Sequence, residues 1–278
     1  MGANINGPSL LRVPEWVKAP LGKYYLYFAH HSGKYIRLAY ADRIEGPWRT
    51  HEPGSLGIEQ TDFTDHIASP DVHVDHDRRL IVMFYHGAYP PGRRAQVTRR
   101  AHSSDGVHFE TERRDLGKAY WRVFRWRDGC YAVAKPGKLF RSVDGTLWGD
   151  FEEGPQIFPD ESRLRHLAVD VRGDVLWVYY SRIGDCPERI LRSAVPLGPD
   201  WRAWAPGAPQ EVLAPEEPWE GGNLPLEPSR SGKVNVPVRQ LRDPGIYREG
   251  GRTYLLYSVA GERGIAVAEI LEEESQGL

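Results

Sequence analysis

Five copies of one β pattern within 278 residues predict an all-β chain, a five-bladed β-propeller of four-stranded antiparallel blades. Each copy is a short β run, a Gly or charged turn, then an aromatic-rich run ending in a small or polar residue. No segment carries a convincing amphipathic helical period, and alternating runs bounded by turn residues argue for strands throughout.

The copies span 8–30, 70–86, 120–135, 166–181 and 243–258, and their second runs end at Phe28, Tyr85, Ala134, Tyr180 and Tyr257. A third run follows each one, at 35–41, 95–103, 138–145, 188–195 and 264–270. Two of these continue into Ser-x-Asp-Gly and an aromatic, Ser103 to Phe109 and Ser142 to Trp148. They read as structural hairpin turns, because Gly accepts positive φ cheaply. The first four spacings suit blades of roughly 40–50 residues. The last gap is longer and holds a Pro- and Glu-rich insertion, about 199–238, expected as an ordered loop over the ring or a mobile lid. Residues 1–278 are read as one domain, since all-β folds of this length need not split.

Lys plus Arg number 36 against 38 Asp plus Glu, so neither a nucleic-acid nor an anionic-membrane partner is expected. Cys130 and Cys186 fall in separate units and read as reduced thiols. The first residues lack a basic stretch followed by an apolar one, and no apolar run approaches a membrane span, which points to a soluble cytoplasmic protein. The sequence leaves the oligomeric state open.

In a propeller, the first strand of each blade lines the channel and the second runs antiparallel to it. The start of the first and the end of the second therefore open on one face. Strand-one starts bring Asn6, His66, Ser69, Asp71, Tyr120, Arg122, Arg165, His166, Arg242 and Asp243 there. Strand-two ends bring His30, His31, His86, Lys135, Arg182, Asp185 and Glu262. Convergent polar groups mark a ligand pocket.

Several short segments carry a family likeness: Gly22-Lys23-Tyr24-Tyr25-Leu26-Tyr27, Ser69-Pro70-Asp71-Val72, Arg242-Asp243-Pro244, and the blade ends Gly46-Pro47-Trp48 and Gly154-Pro155-Gln156. In these the chain resembles the five-bladed propeller glycosidases, the arabinanase/β-xylosidase and invertase/fructosidase groups, over nearly its whole length. The resemblance implies an Asp in the first blade, another midway and a later catalytic Glu. This chain departs from it, with Asn6-Gly7-Pro8 in the first blade and no Glu at the third or fourth rim. Glu153 matches the acid motif superficially but precedes a blade end, as Gly46-Pro47 does, and reads as structural.

Glycoside hydrolysis needs a proton donor and a second carboxylate. Asp71 and Asp243 are the central candidates, and the insertion offers Glu227, or Glu220, as the acid, shielded by Trp219 and Pro228. Asn6, His31, His66, His86, Tyr120, Arg122, Arg165, His166, Arg182, Glu220 and Arg242 are the expected substrate contacts. No cofactor is expected; a divalent metal held by channel histidines is the further option. The reading is a glycoside hydrolase acting on a small oligosaccharide or glycoside. The alternatives are a His/Arg-based lyase or phosphorylase acting on an anionic sugar, since guanidinium forks suit carboxylates and phosphates, and a carbohydrate-binding propeller without catalysis.

Overall fold

Side chains alternate across a strand, so each strand of a blade feeds two different interfaces. In the second run of the second unit, Ile81, Met83 and Tyr85 pack toward the preceding blade, whereas Val82 and Phe84 pack toward the following one. The same alternation operates in every unit, and the apolar residues divide into five clusters, one in each seam between neighbouring blades. The computed structural model describes residues 4–89, 96–158 and 163–271. It is a five-bladed β-propeller with no α-helix among the described residues.

Blade one is β1 (Asn6–Arg12), β2 (Tyr24–Ala29), β3 (Tyr35–Ala41) and β4 (Arg49–Gly57). Blade two is β5 (Ile67–Asp75), β6 (Leu80–Gly87) and β7 (Val97–Ser103), with its outer position split between β8 (Glu110–Thr111) and β9 (Gly117–Lys118). Of the run expected at 95–103, residue 95 lies outside the described residues. Blade three is β10 (Arg122–Trp126), β11 (Gly129–Ala134), β12 (Lys138–Ser142) and β13 (Phe151–Gln156). Blade four is β14 (Leu164–Arg172), β15 (Val175–Arg182), β16 (Ile190–Pro196) and β17 (Gln210–Leu213). Blade five is β18 (Arg242–Glu249), β19 (Arg252–Val259) and β20 (Gly264–Glu269), three strands among the described residues. All neighbours in a blade are antiparallel.

The expected insertion is therefore shorter than its composition suggests. β17 lies within 199–238 and is the outer strand of blade four, hydrogen-bonded to β16. Past β17 the chain crosses one mouth of the channel. Ser229 bonds to the backbone of Gly184 and Asp185, and the carbonyls of Arg230, Gly232 and Val234 accept from Arg165, Arg242 and Asn4. The Ser-x-Asp-Gly segments are turns, as expected. Ser103 Oγ accepts the Asp105 and Gly106 amides, and Asp105 Oδ1 accepts those of Val107 and His108.

Candidate functional site

The inner strands do not run straight into this mouth. Near the start of β1, β5, β14 and β18 the register slips by one residue, between Asn6 and Ser9, Ala68 and Asp71, Leu164 and Leu167, and Arg242 and Gly245. Such bulges re-aim side chains. The first bulged residue is left-handed in three of these blades, Gly7 at φ 62°, Ser69 at 51° and Asp243 at 49°, and Tyr120 before β10 has φ 65°. Pro8, Pro70 and Pro244 follow where a ladder N–H is not needed. A non-Gly residue held left-handed costs about 1–3 kcal/mol, and such residues cluster at functional sites. Here three of them, Ser69, Tyr120 and Asp243, ring one mouth.

Across blades four, five and one runs a buried ladder of alternating charge. Arg165 donates to Glu188 through Nε at 2.6 Å and Nη2 at 3.3 Å. Glu188 also accepts from Ser181 at 2.6 Å and lies 3.3 Å from Arg242 Nε. Arg242 Nη1 donates to Glu262 at 3.1 Å. Glu262 in turn takes Asn4, Asn6 at 3.3 Å and His31 at 3.0 Å. Burial raises the Glu262 pKa, but the His31 hydrogen bond and the charges of His31 and Arg242 outweigh it and hold the carboxyl below its usual range.

Beside this satisfied ladder sits an unsatisfied group. Tyr120 is sandwiched between His86 and His166, with ring centroids 4.1 and 4.5 Å away. Both ring nitrogens of His86 are buried without a partner. His166 Nδ1 lies against Asp243 Oδ1, no donor is aligned on either Asp243 oxygen, and Asp243 is 0% exposed. Burial, then neighbouring cationic groups, push the pKa of His86 and of His166 well below that of free imidazole, so both are neutral near pH 7. Burial pushes the Tyr120 phenol up to about 12. An unmade buried hydrogen bond costs about 1–3 kcal/mol. Several in one place call for a ligand, a water or a chemical role.

The mouth thus gathers Asn6, His31, Ser69, His86, Tyr120 and His166 around a small space of about 10 Å³, room for roughly one water. His66 joins them at the edge, 5.4 Å from the His86 ring and bonded to Asp65 at 2.6 Å. Arg165 and Arg242 are close by but held by Glu188, Glu262 and the crossing carbonyls. Arg182 lies 3.4 Å from Asp185 at the rim.

Four expected residues are placed otherwise. Asp71 lies just past the bulge at Ser69-Pro70, and its Oδ2 accepts the Val123 amide at 2.7 Å and His73 at 2.8 Å. Arg122 bonds to the carbonyls of Leu167, Pro70 and Trp121, tying three blades together. Both line the opposite mouth, where a cavity of about 660 Å³ lies among Val72, Val123, Val169 and Trp16. That cavity is roomy, but its charged groups are mostly paired; the unpaired chemistry is at the small mouth. Glu227 is exposed on the crossing segment. Glu220 is buried, but accepts the Glu216 and Glu217 amides and Tyr257 Oη, so it caps its own turn. Glu188, unmarked in the sequence reading, was findable: it follows β15 as Glu262 follows β19. Among the described residues no group of three or more His, Cys, Asp or Glu is arranged to hold a metal ion.

Fold and mouth together define a five-bladed β-propeller with a polar site at one end of its channel. Similar solved structures include a thermostable family-43 glycoside hydrolase (15% identity, TM-score 0.66, 98% of this chain and 91% of that one). Others are CoXyl43, a β-xylosidase/α-arabinofuranosidase from a compost microbial metagenome (14%, 0.66, 99% and 93%), and a GH43_1 enzyme from Xanthomonas citri complexed with xylotriose (13%, 0.67, 100% and 90%). At these identities the likeness is one of fold. No family model matches the chain. It is 39% identical over 297 residues, 96% of this chain and 83% of the other, to the uncharacterized protein R118 of Acanthamoeba polyphaga mimivirus, and belongs to the same family.

Proposed function

We propose that the chain is a glycoside hydrolase-type enzyme that takes one end of a small oligosaccharide or glycoside at the Asn6–His31–His86–Tyr120–His166 mouth. One observation carries the reading. Asp243 is a fully buried carboxylate with no aligned donor, on left-handed backbone, against a neutral imidazole. The fold supports a carbohydrate ligand, since similar structures hold xylotriose and β-1,3-galactotriose.

Asp243, oriented by His166, takes the proton of a water whose oxygen bonds to the anomeric carbon as the glycosidic C–O bond breaks. His31, bonded to Glu262 and reachable from solvent, hands a proton to the leaving oxygen. Glu262, already holding Arg242 and two asparagines, fixes His31. The small space admits one hydroxyl or water, so the sugar lies across the rim and reaches in with its reacting edge. The test is turnover of a panel of aryl pentosides and hexosides and of xylo-oligosaccharides. Asp243→Asn should abolish turnover while circular dichroism and sugar binding persist; unchanged turnover would exclude the role.

A second reading, a binding propeller without catalysis, has an observation of its own. Asn6 stands where the resemblance implies an Asp, and its amide donates to Glu262 and Asn4. Saturable sugar binding with no product from any substrate would select it. The anionic-sugar alternative loses support, because Glu188 and Glu262 already neutralise Arg165 and Arg242.

A further inference from the structure

In blades one to four the third strand is covered on its outer side by a fourth. β20 is the exception among the described residues: it pairs β19 and nothing beyond. Its sequence, Gly264-Ile265-Ala266-Val267-Ala268-Glu269, is nevertheless that of a covered strand, apolar on both faces. Ile265 and Val267 join the apolar cluster toward blade one, and Ala266 and Ala268 the one toward blade four. A groove flanks each face, about 410 Å³ beside Ile44, Trp48 and Ile265, and about 340 Å³ beside Val212, Leu213 and Ala268. An unprotected apolar edge strand is a template for pairing with another chain.

We infer that β20 is the interface of a homodimer, in which two copies pair their β20 edges antiparallel around a twofold axis. The backbone fixes which residues take part. Ile270 N–H donates to Thr253, so even-numbered residues of β20 turn toward β19 and Ile265, Val267 and Glu269 turn their N–H and C=O outward. With Ala266 opposite its own copy, Ile265 faces the partner's Val267 and Arg263 faces the partner's Glu269, each contact made twice. A twofold interface must be self-complementary in this way. Arg263 and Glu269 are exposed, and among the described residues Glu269 otherwise pairs with Arg252 at 3.6 Å.

Sedimentation velocity of the full chain over a concentration series tests this directly. A monomer–dimer equilibrium is expected. Arg263→Glu should weaken it about tenfold by setting like charges opposite one another, and adding Glu269→Arg should restore it. Val267→Pro, which removes an outward N–H and leaves the β19 ladder whole, should give monomer. If that variant misfolds, the charge exchange still decides. Monomer at every concentration, or a dimer indifferent to the charge exchange, overturns the inference. Slow exchange of the Ile265 and Val267 amides in a monomeric sample also overturns it, by assigning the edge to a segment of the same chain.

Discussion

Glu188→Gln removes one negative charge from the middle of the buried ladder while keeping the side chain's shape. Glu188 and Arg242 are 0% and 1% exposed, and Arg165 is 3%. With Glu188 neutral, Arg242 keeps Glu262 and the Gln240 amide oxygen, while Arg165 keeps the carbonyls of Arg230 and Gly232 alone as strong acceptors. Breaking a buried pair from one side costs about 3–5 kcal/mol, because the remaining charge is stranded. The amide still offers one acceptor, so the lower half of that range, about 3–4 kcal/mol, is expected. At about 2.1 cal/mol/K per residue, 278 residues unfold with an entropy of roughly 0.6 kcal/mol/K, and the loss becomes a fall of about 5–7 °C in Tm. Scanning calorimetry with urea unfolding at pH 7 measures it. Replacing Arg165 and Glu188 together with Met and Gln should cost less than the two single changes summed. A Tm within about 2 °C of the parent for Glu188→Gln would show that the ladder carries no such load.

Three further outcomes follow from the same geometry. His86 and His166 are held neutral in the folded state but titrate near 6.5 when unfolded, so the unfolded chain binds more protons below that pH. Their contribution is complete above about pH 6.5 and falls by about 1.4 kcal/mol per unit and per imidazole as pH drops below it; a plot of Tm against pH should flatten in His86→Gln. Asp71→Asn should lower stability by about 1.5–3 kcal/mol through the Val123 and His73 bonds, and calorimetric titration with sugar should find affinity at the opposite mouth unchanged. Glu227→Gln, on an exposed side chain, should change neither Tm nor turnover, its stability effect staying within about 0.5 kcal/mol.

The blades were legible because alternation and aromatic second runs survive in every copy. β17 was not, because Gln210-Glu211-Val212-Leu213 is four residues among prolines, too short for a period to declare itself. The convergence rule placed His31, His86, Tyr120, His166 and Asp243 at one mouth, since each sits at a strand-one start or a strand-two end. Asp71 escaped it for a local reason. The slip at Ser69-Pro70 turns the residues beyond it toward the other end of the channel, and a one-residue shift exchanges the sides of a strand. Glu220 and Glu227 look equivalent in sequence; only backbone geometry decides that one caps a turn and the other meets water.

The contacts of Glu262 with Asn4, Asn6 and His31 also sit where the first and last blades meet, together with Glu249 bonded to Arg12 and Tyr24 and the Ile5 amide on the Glu262 carbonyl. That junction is the single place where the circle is completed without a peptide link, like the gap in a split washer. Asn6 and His31 of the candidate site come from one lip of the gap, and Arg242, Asp243 and Glu262 from the other. The pocket is therefore complete only when the first and last blades are joined. A ligand seated there would act as a latch, resisting the springing apart of the whole ring.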